Sequence, residues 1–64
     1  MYVVRKDGKY FKANGYVESS GRCDTATWVN RSGDGWGTSS KAMADIVAEK
    51  HGGVAIPYVE RDGF

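Results

Sequence analysis

Val3-Val4-Arg5-Lys6-Asp7-Gly8-Lys9-Tyr10-Phe11-Lys12 is the stretch on which the fold turns. Asp-Gly between two alternating, β-favouring runs has the chemistry of a two-residue type I′ turn, whose central positions both need positive φ. A hairpin follows. With Lys6 opposite Lys9, the register predicts Val4 across from Phe11 and Tyr2 across from Ala13 on one face. Arg5, Tyr10, Val3 and Lys12 then share the other face. Asn14-Gly15 comes next and invites a second tight turn into Tyr16-Val17-Glu18, which would make a three-stranded meander ended by Ser19-Ser20-Gly21-Arg22.

Further along, Thr25-Ala26-Thr27-Trp28-Val29-Asn30 is β-branched and aromatic and reads as another strand. Arg31-Ser32-Gly33-Asp34-Gly35-Trp36-Gly37 is too rich in glycine for a regular element. From Ser39 or Ser40 the period becomes helical. Met43, Ile46, Val47 and the stem of Lys50 form the predicted apolar stripe with Ala42 beside it, and Lys41, Asp45 and Glu49 lie opposite. Thr38, Ser39 and Ser40 can each cap its start, and Gly52-Gly53 supplies a left-handed stop. Val54-Ala55-Ile56-Pro57-Tyr58-Val59 reads as the last strand, with Pro57, which lacks an N–H, at a sheet edge or bulge.

The expected fold is therefore α+β: an antiparallel sheet of three to five strands with one helix packed on one face. A single helix leaves the second face wet or available to a partner. The 64 residues make one small domain, 1–64. Because the sequence begins with Met and enters a strand pattern at once, a complete small gene product is expected. A chain this short buries only about 60% of its unfolded surface, so the eight aromatic residues (2 Trp, 4 Tyr, 2 Phe) must supply much of the core.

Composition removes several function classes. Nine basic against eight acidic residues leave a net charge of +1, which suits neither an acidic mimic of nucleic acid nor a histone-like polycation. The charge is uneven, with Arg5, Lys6, Lys9 and Lys12 near the start and Asp45, Glu49, Glu60 and Asp62 towards the end. The single cysteine, Cys23, cannot form an internal disulfide, so a reducing cytoplasm is the expected compartment. No apolar run reaches the length of a signal sequence or the roughly 18 residues of a span, so no membrane partner is expected.

Catalytic chemistry finds little support. Cys23, Asp24 and His51 carry no local signature of a nucleophilic site, and His51 reads as a cation at the negative end of the helix dipole. One Cys and one His fall short of a zinc site, and Asp24 with Asp34 does not match a calcium loop. Gly33-Asp34-Gly35-Trp36-Gly37-Thr38-Ser39-Ser40-Lys41 offers free amides and hydroxyls to an anion but lacks the spacing of a P-loop. No enzyme activity, metal or cofactor is implied.

Binding is the remaining class, and two surfaces compete for it. Trp36, flanked by glycines, is either a lid folded onto the core or an interface anchor, while Trp28 in its β-branched run reads as core. Trp36, Arg31, Pro57 and Tyr58 are the candidate contacts of a protein partner, and the Pro57-marked edge could add a partner's strand or pair two copies into a homodimer. The alternative is a nucleic-acid surface on the hairpin: Arg5, Tyr10 and Lys12 on one face, with Lys6 and Lys9 at the turn.

The pattern Val3-Val4-x-x-Asp7-Gly8-x-Tyr10-x-x-x-x-Gly15, with Thr38-x-x-x-Ala42-x-x-x-x-Val47-Ala48, Gly52-Gly53-Val54-x-Ile56 and Asp62-Gly63, resembles small bacterial and phage domains of unknown function built as hairpin, strand, helix, strand. Val17 to Gly37 departs from that pattern. The resemblance implies an α+β fold and a phage or prophage origin, and carries over no catalytic or binding residue. The function expected on these grounds is a small non-enzymatic protein-binding module, such as a phage-encoded accessory protein or inhibitor of a host factor.

Overall fold

A computed structural model describes residues 1–58. Val59, Glu60 and Asp62-Gly63, which enter the sequence reading, lie outside the described residues. The chain forms β1 (Tyr2–Lys6), β2 (Lys9–Val17), β3 (Cys23–Val29), a 3-10 turn (Ser32–Asp34), β4 (Gly37–Thr38), α1 (Lys41–His51) and β5 (Val54–Pro57). All strand pairings are antiparallel, and one helix covers one face of the five-stranded sheet.

The β1–β2 turn forms as its residues require. Asp7 and Gly8 both take positive φ, 52° and 78°, and Lys6 pairs with Lys9 and Arg5 with Tyr10. Beyond Tyr10 the two strands part. Trp36 donates its backbone N–H to the Phe11 carbonyl at 2.7 Å, and β4 pairs with β1 through Tyr2↔Thr38 and Val3↔Gly37. The segment from Trp36 to Thr38 is thus a wedge between β1 and β2. The expected pairing of Tyr2 with Ala13 is replaced: Tyr2 lies between Thr38 and Pro57, because the wedge takes the hydrogen-bonding positions that β2 vacates.

Asn14-Gly15 does not turn. β2 runs on through it to Val17 and pairs with β3 along its length, bringing Phe11 opposite Trp28 and Ala13 opposite Ala26. The ladder slips between Asn14↔Thr25 and Val17↔Cys23, so Gly15 and Tyr16 oppose Asp24 alone, with Gly15 at φ +90°. That is a β-bulge with glycine in the left-handed position. Ser19-Ser20-Gly21 makes the hairpin end instead, closed by hydrogen bonds between Glu18 and Arg22 and between Gly21 and Glu18, each at 2.8 Å. The expected meander therefore forms with Cys23–Val29 as its third strand in place of Tyr16-Val17-Glu18, and β2 and β3 make one long, bulged hairpin.

α1 begins at Ser40, whose Oγ accepts the Met43 N–H at 3.1 Å, and stops where Gly52 turns left-handed at φ 82°. Its buried side is Ala44, Val47 and Ala48, with Met43 half-buried, while Ile46 is 42% exposed. The buried stripe is thus rotated away from the expected Ile46 and Lys50. Small alanines let the helix lie close to the sheet, and this placement continues one turn on to His51. His51, expected at the C-terminal end of the helix dipole, stands in the last turn of α1 with Lys50. Its ring lies 4.6 Å from that of Phe11, and its Nε2 is 2.8 Å from the Gly21 carbonyl oxygen, tying helix to hairpin tip. Lys6 also approaches the end of the helix, its Nζ 3.7 Å from where a Cβ on Gly52 would be.

The core gathers Val4, Phe11, Val47 and Ala48. Phe11 is its centre: fully buried, it meets Trp28 and Trp36 edge to face at centroid distances of 5.7 and 5.9 Å. Such pairs contribute about 0.5–1.5 kcal/mol each beyond their buried area. Gly53 permits the helix-to-β5 crossing, since a Cβ there would stand 2.7 Å from Val4 Cγ1 and 3.0 Å from the Arg5 carbonyl oxygen. The face away from the helix is not uniformly wet, because Val3, between Gly37 and Ile56, is only 2% exposed.

Candidate binding surfaces

Two surfaces emerge, one on each side of the sheet. On the helix side, a cleft of about 460 Å³ lies between the bulged end of β2 and the Trp36–Thr38 segment, lined among others by Tyr16, Val17, Trp36, Thr38 and Met43. None of the described residues lining it is charged. Trp36 and Met43 are half-buried in contact with the core. Tyr16 is different. The bulge carries it out to 81% exposure, an unusual position for a tyrosine in a chain with so few core residues.

The residues expected to meet a protein partner do not form one patch. Trp36 enters the wedge between β1 and β2, where its ring packs on Phe11, which matches the lid reading. Pro57 and Tyr58 lie across β1 on the opposite edge, Pro57 beside Tyr2 and Tyr58 donating its N–H to the Met1 carbonyl at 2.8 Å. Among the described residues β5 pairs only with β1, so Pro57 does sit on an edge strand. Arg31 is exposed just before the 3-10 turn, where its carbonyl accepts the Asp34 N–H. Tyr16 was hidden in the sequence because Asn14-Gly15 reads as a turn, which makes its neighbours look like the start of a new strand.

On the open side, cross-strand register places Arg5, Tyr10 and Lys12 together with Val3, Asn14, Thr25, Thr27, Val29, Val54 and Ile56. The Arg5 guanidinium lies 6.0 Å from the Tyr10 ring centre. Lys6 and Lys9 do not belong here. They pair with each other on the alternate face, and Lys6 Nζ is 5.8 Å from the Trp28 ring as well as near the helix end. Both positions favour a cation, so Lys6 has a structural explanation.

The groups weighed for catalysis are engaged locally. Cys23 Sγ is 3.7 Å from the Thr25 carbonyl oxygen, and His51 faces Gly21. Lys41, beside the glycine-rich segment, pairs with Asp45 one turn along the helix at 3.1 Å. Among the described residues no three His, Cys, Asp or Glu side chains converge, and no helix is long and apolar enough to cross a membrane. Compared with known proteins, the chain matches no family profile, no curated protein and no solved structure.

Proposed function

We propose that the chain is a small non-enzymatic protein-binding module whose contact surface is the cleft beside Tyr16. The observation that carries this reading is the 81% exposure of Tyr16 next to an uncharged cleft walled by Trp36 and Met43. Tyrosine and tryptophan dominate binding hot spots, and methionine adapts its shape to an incoming apolar group. Tyr16 has most of its apolar area still in water, so covering it is a source of binding energy that folding left unused. The ligand that fits is an apolar side chain presented on an extended segment of a host protein. A phage-encoded accessory protein or inhibitor working in a reducing cytoplasm is the setting this reading favours, and the lone thiol of Cys23 suits it.

The test is capture from a nuclease-treated bacterial lysate, wild type against Tyr16→Ala. A host protein retained by the wild type and lost by Tyr16→Ala, at unchanged melting temperature, supports the cleft. Equal retention by both proteins removes it.

A further inference from the structure

The open side of the sheet has a property that the cleft does not. Six carboxylates occur among the described residues: Asp7 in the turn, Glu18 and Asp24 on the β2–β3 hairpin, Asp34 in the 3-10 turn, and Asp45 and Glu49 on the helix. Along the regular part of the ladders, from β5 across β1 and β2 to Thr25 of β3, none of them shares the face of Arg5, Tyr10 and Lys12; Glu18 and Asp24 lie past the bulge, next to Val17 and Cys23, which pack against the core. Among the described residues neither cation has a carboxylate partner within ion-pair distance. The ion pair found among the described residues, Lys41 with Asp45, is on the helix. The remainder of the face is threonine, asparagine and aliphatic side chains, which add hydrogen-bonding groups without negative charge.

We infer that this face binds the backbone of a single-stranded nucleic acid, with Arg5 and Lys12 on neighbouring phosphates and Tyr10 beneath the intervening base. Arg5 is directly opposite Tyr10, and Lys12 is the next residue on the same face of β2, so the two cations are diagonal neighbours about 7–8 Å apart at the backbone. Long, flexible side chains carry both charges to successive phosphates of an extended strand. Tyr10 lies between them with its ring half-exposed, and base stacking on an aromatic ring needs an unpaired base, which selects a single strand over a duplex. The site is on the opposite side of the sheet from the cleft. Its failure would leave the protein-binding reading untouched.

Charge accounting makes the inference quantitative. Each phosphate neutralised on a single strand contributes about −0.7 to the slope of log K against log salt concentration, so two contacts give about −1.4. The experiment is fluorescence anisotropy with a labelled oligothymidylate of about twelve nucleotides, titrated from low to moderate salt. Arg5→Gln and Lys12→Gln should each lower the slope to about −0.7, Arg5→Lys should keep it near −1.4, and Lys41→Gln on the helix should change nothing. Tyr10→Leu should weaken binding roughly five- to hundredfold at constant slope. Circular dichroism establishes that each variant is folded. No binding at low salt, a slope indifferent to Arg5 and Lys12, preference for the duplex, or equal binding of polyaspartate would overturn the inference.

Discussion

Asp7-Gly8 and Asn14-Gly15 carry the same local signal, and the chain uses them in opposite ways. At the first, both residues take positive φ and the strand reverses. At the second, only the glycine does, and the strand bulges and continues. The difference lies in what a reversal would gain. Turning at Asp7-Gly8 sets Val4 and Phe11 into one core, whereas turning at Asn14-Gly15 would end β2 early and forfeit much of its ladder with β3. Running through keeps Phe11 opposite Trp28, and the bulge absorbs the unpaired residue. An Asx-Gly pair therefore specifies a left-handed backbone position. Whether that becomes a turn depends on which pairing buries more.

The severest way to break this contrast is Phe11→Ala. It removes the ring on which Trp28, Trp36 and His51 all pack, and the expected cost is about 3–5 kcal/mol, comparable with the whole stability of a domain this size. Loss of the cooperative thermal transition is the expected result. A melting point within a few degrees of wild type would show that the two halves of the sheet cohere without Phe11.

Trp36→Ala tests the wedge itself. Because the ring is half-buried and packs on Phe11, we expect about 2 kcal/mol of destabilisation, read from chemical denaturation. Unchanged stability would detach Trp36 from the core and make it an anchor for a partner.

Gly8→Ala and Gly15→Ala put the two dipeptides side by side. Neither site has an atom within 4 Å of an added Cβ, so the backbone conformation alone is tested, at φ +78° and φ +90°. Each should cost about 1–2 kcal/mol. Equal losses with different signatures would sharpen the contrast, the β1–β2 pairing suffering in one and the β2–β3 pairing in the other, as reported by amide exchange. A silent Gly15→Ala would argue against the bulge.

Tyr16→Ala is the smallest expected perturbation of stability, within about 0.5 kcal/mol, because the side chain is mostly in water. Its measured melting temperature sets the baseline for the capture experiment. A large loss would show Tyr16 packed over the cleft in solution, and the bulged half of β2 would then be core like the other half.

Several features were legible before any tertiary contact was known. Asp7-Gly8 specified a hairpin because two adjacent positions tolerate positive φ, and Ser40 and Gly52 bounded the helix because capping satisfies its orphan amides and carbonyls. These are short-range constraints within a few residues of chain. Of the candidate sites, the shared face of Arg5, Tyr10 and Lys12 was legible too, since strand alternation beside a fixed turn determines it. The cleft was not. It depends on β1 and β2 parting, on Trp36 taking the Phe11 carbonyl and on Gly15 bulging rather than turning.

The rotated helix stripe has the same origin. Periodicity named Ile46, but contact with the sheet favoured Ala44 and Ala48, whose small side chains allow close approach, and drew in His51. By itself the sequence determined where the chain can bend, cap and alternate, because those depend on each residue's own backbone and neighbours. Only the tertiary structure decided which strands pair beyond Tyr10, which helix face is buried and which aromatic remains in water. Each of those is a competition between distant segments for the same few core positions.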